Sequence, residues 1–127
     1  MMPRRILALA AFLAALATFA ASAGSHALPA DVSEKGRDWW DMAVRMQYLH
    51  SFALVAAAFA STLSASPLIG YSVWAFVFGI LAFSGSLYWL ALNGPGSLGA
   101  AHWITPLGGL AFITGWLTLG VGVLRKG

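Results

Sequence analysis

The side chains able to do chemistry are few in this chain. Histidine is the commonest metal ligand and the usual proton carrier near neutral pH. Three are present, His26, His50 and His102. Three imidazoles suffice for a zinc or copper ion. No two of them stand at i and i+4, the spacing that places two ligands on one helical face. A metal- or haem-binding reading would use His26 and His50. Gln47 precedes His50 by three residues, so the two share a helical face. His26, Gln47 and His50 are therefore expected to form one polar cluster, serving as a ligand site or as a hydrogen-bonded clasp.

The hydroxyls offer less. Ser84 and Tyr88 share one helical face and Ser86 lies on another. A catalytic serine needs a neighbouring base and an oxyanion hole, and Ser84-Gly85-Ser86 is not the Gly-x-Ser-x-Gly elbow. The acids Asp31, Glu34, Asp38 and Asp41 fall in one stretch and have ordinary duties available. Asp38 reads as a helix N-cap, and Asp41 can pair with Arg45 at i+4. There is no cysteine, which removes disulfides, thiolate metal sites and cysteine nucleophiles. No catalytic set, resident metal or cofactor is expected, and the chain reads as a non-enzyme.

Composition dictates what must hold these residues. Of 127 residues, 60% are hydrophobic and 9% charged, against roughly 25% charged in soluble domains. Mean hydropathy is +0.80. A soluble domain this small exposes too much of its area to hide so many apolar side chains, and the lipid bilayer is the solvent that accepts them. The net charge of +3 comes from sparse cations flanking apolar runs, which is the placement of membrane anchors. Nucleic acid is not an expected partner.

The apolar runs predict a single domain over residues 1–127, an all-α antiparallel bundle of four transmembrane helices. The expected helices are about 5–25, 39–64, 71–92 and 105–124, with a polar outer loop at 26–38. Asp38 caps the second, Pro67 and Gly70 mark a turn, Asn93-Gly94-Pro95-Gly96 ends the third, and Thr105-Pro106 opens the fourth. The fourth stops at Arg125-Lys126-Gly127. The first run, Ile6 to Ala21 with Ala21-Ser22-Ala23-Gly24 behind it, also has the form of a secretory signal peptide, so cleavage and retention both stand on these residues.

Small residues at spacings of three and four predict where helices meet, because close packing holds membrane helices together. The stripes are Ala8, Ala11, Ala15, Thr18 and Ser22; His50, Ala53, Ala57, Ala60 and Ser64; Ala75, Gly79, Ala82 and Ser86; and Gly108, Ala111, Gly115, Thr118 and Gly122. Phe112, Trp116, Leu119 and Val123 fall away from the last stripe and are expected to face lipid or a partner subunit. Arg4, Arg5, Arg125 and Lys126 at the ends, against Lys35, Arg37 and Arg45 between, favour both termini in the cytoplasm. The alanine and glycine content points to a bacterial inner membrane.

Longer segments carry a likeness. Gly24-Ser25-His26-Ala27-Leu28 and Trp40 through Gln47-Tyr48-Leu49-His50 are followed by Phe83-Ser84-Gly85-Ser86-Leu87-Tyr88-Trp89-Leu90-Ala91-Leu92. The last is Ile104-Thr105-Pro106-Leu107-Gly108-Gly109-Leu110-Ala111-Phe112-Ile113-Thr114-Gly115-Trp116. From about residue 20 onward the chain resembles the small membrane-protein family called domain of unknown function 423, which includes transmembrane protein 256. His26, Gln47, His50, Ser84, Tyr88, Thr105 and Pro106 fall on its motif positions; His102 does not. Ser25 and Ala27 depart from its usual Gly-Ala-His-Gly-Leu. The resemblance implies four membrane helices, no established activity, and retention of the first segment as a helix. An intact-mass measurement on the purified protein checks the last point: a mass starting near Gly24 would mean a cleaved leader.

Three functions follow as expectations. The first is a structural or accessory subunit bound to other membrane-protein subunits and to the lipid bilayer. The second is a passage for a small solute, ion or lipid, for which the inner half offers mainly Ser61, Thr62, Ser64 and Thr118. The third is a metal or haem protein using the outer-face histidines.

Overall fold

A computed structural model describes residues 2–125; Lys126 and Gly127, read above as part of the final stop, lie outside it. Four helices are long and apolar enough to cross a membrane. They are α1 (Pro3–His26), α2 (Glu34–Leu63), α3 (Pro67–Asn93) and α4 (Gly99–Leu124). Short connections make successive helices antiparallel. α1 packs along α2 with no comparable contact elsewhere, α2 runs against α3, and α3 pairs most extensively with α4.

Three helices begin earlier than their capping signals suggested. Ser33, not Asp38, caps α2 and accepts the Gly36 N–H at 3.0 Å. Nothing between Ser33 and Asp38 breaks a helix, so the first competent cap wins and Asp38 lies within the second turn. Pro67 is the first residue of α3 rather than part of a turn, with Ser66 accepting the Leu68 N–H. Proline at the first position has no N–H to orphan. Thr105 does not cap α4, because a short 3₁₀ turn at Gly99–Trp103 leads directly into Ile104–Leu124. Pro106 still falls in the first turn of that α-helix, where its missing N–H costs least. Between α3 and α4 the chain turns at Gly94 and Gly96, with φ of 90° and 77°, a region open to glycine at little cost.

α3 is not uniform. Ile80–Ser84 form a π-helical turn within it, an insertion of the kind often found at functional positions. Below and at this turn α3 and α4 mesh as a zipper of large against small. Gly108 sits against the backbone of Phe83, where an added Cβ would be 2.4 Å from its nitrogen. Gly79 faces the Phe112 ring, Gly115 faces the Phe76 ring, and Gly122 faces Ile69. The buried stripe of α4 is thus Gly108, Phe112, Gly115, Leu119 and Gly122. Phe112 and Leu119, expected at the lipid, are 3% and 7% exposed. They fill the spaces between glycines rather than lying on another face, because residues four and three apart form one line on a helix. Val123 does face outward.

The stripe expected on α1 faces the wrong way. Ala8, Ala11, Ala15, Thr18 and Ser22 are exposed, while Ile6, Ala10, Ala17 and Ala20 are buried against α2. In so alanine-rich a helix, small residues occur on every face, and position is decided by the partner. On α2 the expected His50, Ala53, Ala57 and Ala60 are all buried, and on α3 so are Gly79, Ala82 and Ser86.

Candidate functional site

The polar residues of the interior collect along α2. Gln47, 5% exposed, spans two seams: its Nε2 donates to the Leu13 carbonyl of α1 at 2.8 Å, and its Oε1 accepts the Tyr88 hydroxyl of α3 at 2.8 Å. A carbonyl can only accept, so the amide orientation is fixed by chemistry. Trp40, two turns earlier on the same face, donates its indole N–H to the Ala20 carbonyl at 2.7 Å and meets Tyr88 edge-on at 4.7 Å. Gly24 makes room for that indole: a Cβ there would be 2.9 Å from it. Thr18 and Tyr48 share a further hydrogen bond between α1 and α2. With so little else touching α1, these bonds and the small residues around them hold it in place.

His50 points into the neighbouring seam. It is 1% exposed and its ring stacks on Phe112 with centroids 3.5 Å apart. Nδ1 lies 2.8 Å from the Met46 carbonyl, and Nε2 accepts the Trp116 indole N–H at 3.1 Å. One partner is an obligate acceptor and the other an obligate donor, so the ring is neutral with its proton on Nδ1. Both nitrogens are engaged, and neither lone pair is free for a metal.

The expected His26–Gln47–His50 cluster is therefore not formed. His26 ends α1 and is exposed. Gln47 is level with Leu13, thirteen residues back along α1, which at about 1.5 Å per residue is about 20 Å. His50 lies deeper still, three residues past Gln47 on α2, well below the outer mouth where it was expected. Among the described residues no three of His, Asp and Glu gather as metal ligands do. His102, in the 3₁₀ turn, is exposed and bonded to the Gly99 carbonyl.

The serines act as cross-ties. Ser84 Oγ, fully buried in the π turn, donates to the Ala43 carbonyl of α2 at 2.8 Å. Ser86 joins Thr105 of α4 at 2.6 Å, and Ser51 bonds back to the Gln47 carbonyl. At the other end Ser64 Oγ reaches the Gly122 and Arg125 carbonyls. Ser61, Thr62 and Thr118 bond their own helices. The glycines Gly108 and Gly115 have the packing role read from sequence.

Trp40 and Trp116 were missed as site residues. Trp40 stands seven before Gln47 and so on the same face, a spacing that could have found it. Trp116 lies mid-helix, away from the interface tryptophans favour, and an indole N–H there needs an acceptor.

Known proteins place the chain. The profile of the family described as "Protein of unknown function (DUF423)" matches residues 20–109. A UPF0382 membrane protein of Staphylococcus epidermidis is 38% identical over 117 residues, 92% of this chain and 93% of that protein. One from Bacillus subtilis is 36% identical over 118 residues, 92% and 94% of the two chains. A UPF0382 inner membrane protein of Escherichia coli is 31% identical over 102 residues, 80% and 76%. No solved structure matches the chain. With most of its length aligned to such relatives and four apolar helices crossing the bilayer, the chain belongs to the UPF0382 membrane proteins, the DUF423 family of unknown function.

Proposed function

We propose that the protein is a non-enzymatic structural or accessory subunit of a larger membrane complex. The observation that carries this reading is how its polar groups are used. Ser84, Ser86, Gln47, Trp40 and Trp116 each tie one helix to another. Among the described residues no serine or threonine hydroxyl is bonded to a histidine or a carboxylate, and Ser61, Thr62, Ser64 and Thr118 of the inner half bond to backbone carbonyls. A close-packed scaffold results, with a broad exterior that includes Trp74, Trp89 and Trp103 for lipid or neighbouring subunits. Affinity purification in mild detergent, followed by mass spectrometry, tests it. Reproducible co-purification of specific membrane subunits in fixed proportion is the expected result; a protein that leaves the membrane alone, at every detergent strength, overturns it.

The cellular address belongs to the same proposal. The name of the Escherichia coli relative supports a bacterial inner membrane. Arg4 and Arg5 in the first turn of α1 support cytoplasmic termini. Single cysteines at Ser33 and Gly127 should then label from opposite sides of sealed vesicles, Ser33 from the periplasmic face. Labelling of both from one side defeats this topology.

A further inference from the structure

α1 and α3 do not meet along their outer halves. Between them runs a groove of about 310 Å3, walled by Leu13, Leu16 and Ala20 of α1 and by Ile80, Leu81 and Gly85 of α3. Gln47 and Tyr88 line it as well. Leu16 and Leu81 are 59% and 66% exposed, so it opens sideways into lipid rather than to water. Its volume falls within the low end of small-ligand pockets, about 300–1,000 Å3. Ile80 and Leu81 belong to the π turn, and Gly85 leaves its wall vacant, since nothing lies within 4 Å of where a Cβ would stand.

We propose that this groove binds the head of a lipid-soluble quinone. Hydrogen-bonding capacity is the first reason. A glutamine amide carries two N–H donors, and among the described residues only one of Gln47's has a partner, the Leu13 carbonyl. The Tyr88 hydroxyl donates to Gln47 and keeps its oxygen lone pairs. The groove thus presents one N–H and one phenol oxygen. A quinone carbonyl accepts the first, and the hydroxyl of the reduced quinol donates to the second, so both forms have a partner.

Depth is the second reason. Gln47 lies six residues past Asp41, the last acid of α2, which is about 9 Å along the helix, and two past Arg45, whose long side chain lets its charge reach back to the interface. Tyr88 is five residues from the outer end of α3, and helical side chains lean toward the N-terminus, here inward. A phospholipid keeps its charged head and ester groups at the interface above this level, and its acyl chains have no atom to meet Gln47 or Tyr88. A compact, neutral, polar ring on an apolar tail reaches both. The proposal is independent of the accessory-subunit reading.

The test uses the full chain in phosphatidylcholine nanodiscs, titrated with a decyl-tailed ubiquinone and with its photoreactive azido derivative. Saturable binding near one per chain is expected, with cross-links confined to the peptides holding Leu13–Ala20 and Ile80–Tyr88. Gly85→Leu should fill the groove and weaken binding by at least about tenfold, or about 1.4 kcal/mol, with the unfolding temperature unchanged. Tyr88→Phe should weaken the quinol more than the quinone. Uptake that never saturates, cross-links spread over the whole lipid face, or wild-type binding by Gly85→Leu would each overturn the proposal. So would a phospholipid held in the groove that the quinone cannot displace.

Discussion

Replacing Gly108 with alanine or valine is expected to unfold the α3–α4 pair. Glycine to alanine inside a helix is ordinarily favourable, by about 1 kcal/mol of propensity. Here the new Cβ would stand 2.4 Å from the Phe83 nitrogen and 2.8 Å from its Cβ. A side-chain end could swing aside; the backbone of a π turn tied through Ser84 to α2 cannot. The cost of overpacking is typically about 1–3 kcal/mol and occasionally more, and this site belongs at the top of that range or above. Gly109→Ala is the matched control, with its nearest neighbour at 3.8 Å, an ordinary contact, and it should keep the ordinary propensity gain of up to about 1 kcal/mol. Reversible unfolding in mixed micelles measures both. If Gly108→Val melts with the wild type, the close approach of the two helices is wrong.

The second large effect is expected at His50. Its ring fills a space bounded by Phe112, Phe76 and Trp116, and His50→Ala leaves a cavity as well as an indole N–H without its acceptor. Large-to-small changes in a packed interior cost about 2–5 kcal/mol, while a hydrogen bond within the membrane adds on average about 0.6 kcal/mol. A loss of about 3–5 kcal/mol is therefore expected. His26→Ala should be nearly silent. Because the two residues are far apart, the double mutant should equal the sum of the singles to within about 0.5 kcal/mol. Coupling well above that would restore the single outer cluster that the side-chain pattern first suggested. His50→Phe separates the two contributions, keeping the stack on Phe112 while leaving Trp116 unpaired.

The same contrast between His26 and His50 marks the boundary of what could be read in advance. Four membrane helices follow from composition and the length of the apolar runs, because only helices and closed barrels satisfy every backbone hydrogen bond in lipid, and continuous apolar runs of about 20 residues suit helices where barrel strands alternate. The importance of Gln47, Ser84 and Tyr88 was legible for a related reason: polar groups in apolar helices must find partners. The partners were not legible. Gln47 chose a backbone carbonyl of α1, Ser84 one of α2, and His50 an indole sixty-six residues away. Backbone carbonyls are identical in every residue and leave no trace in side-chain pattern.

Facing, too, was only half determined. On α3 and α4 the glycines are sparse enough to mark the contact, and Gly79, Gly108 and Gly115 were placed on it. On α1 alanine is everywhere, so the small residues assigned to the interface are exposed, although Thr18 still reaches Tyr48 of α2, and the neighbouring line carries the contact. What the sequence by itself determined is the solvent of the protein, the number of its helices and which residues could not be left unpaired, since these are set by transfer free energies residue by residue. Which seam each side chain enters was decided only by the tertiary structure. Helix rotation and depth depend on the fit of two surfaces, and Phe112 against Gly79, like His50 between Phe112 and Trp116, exists only when both helices are present.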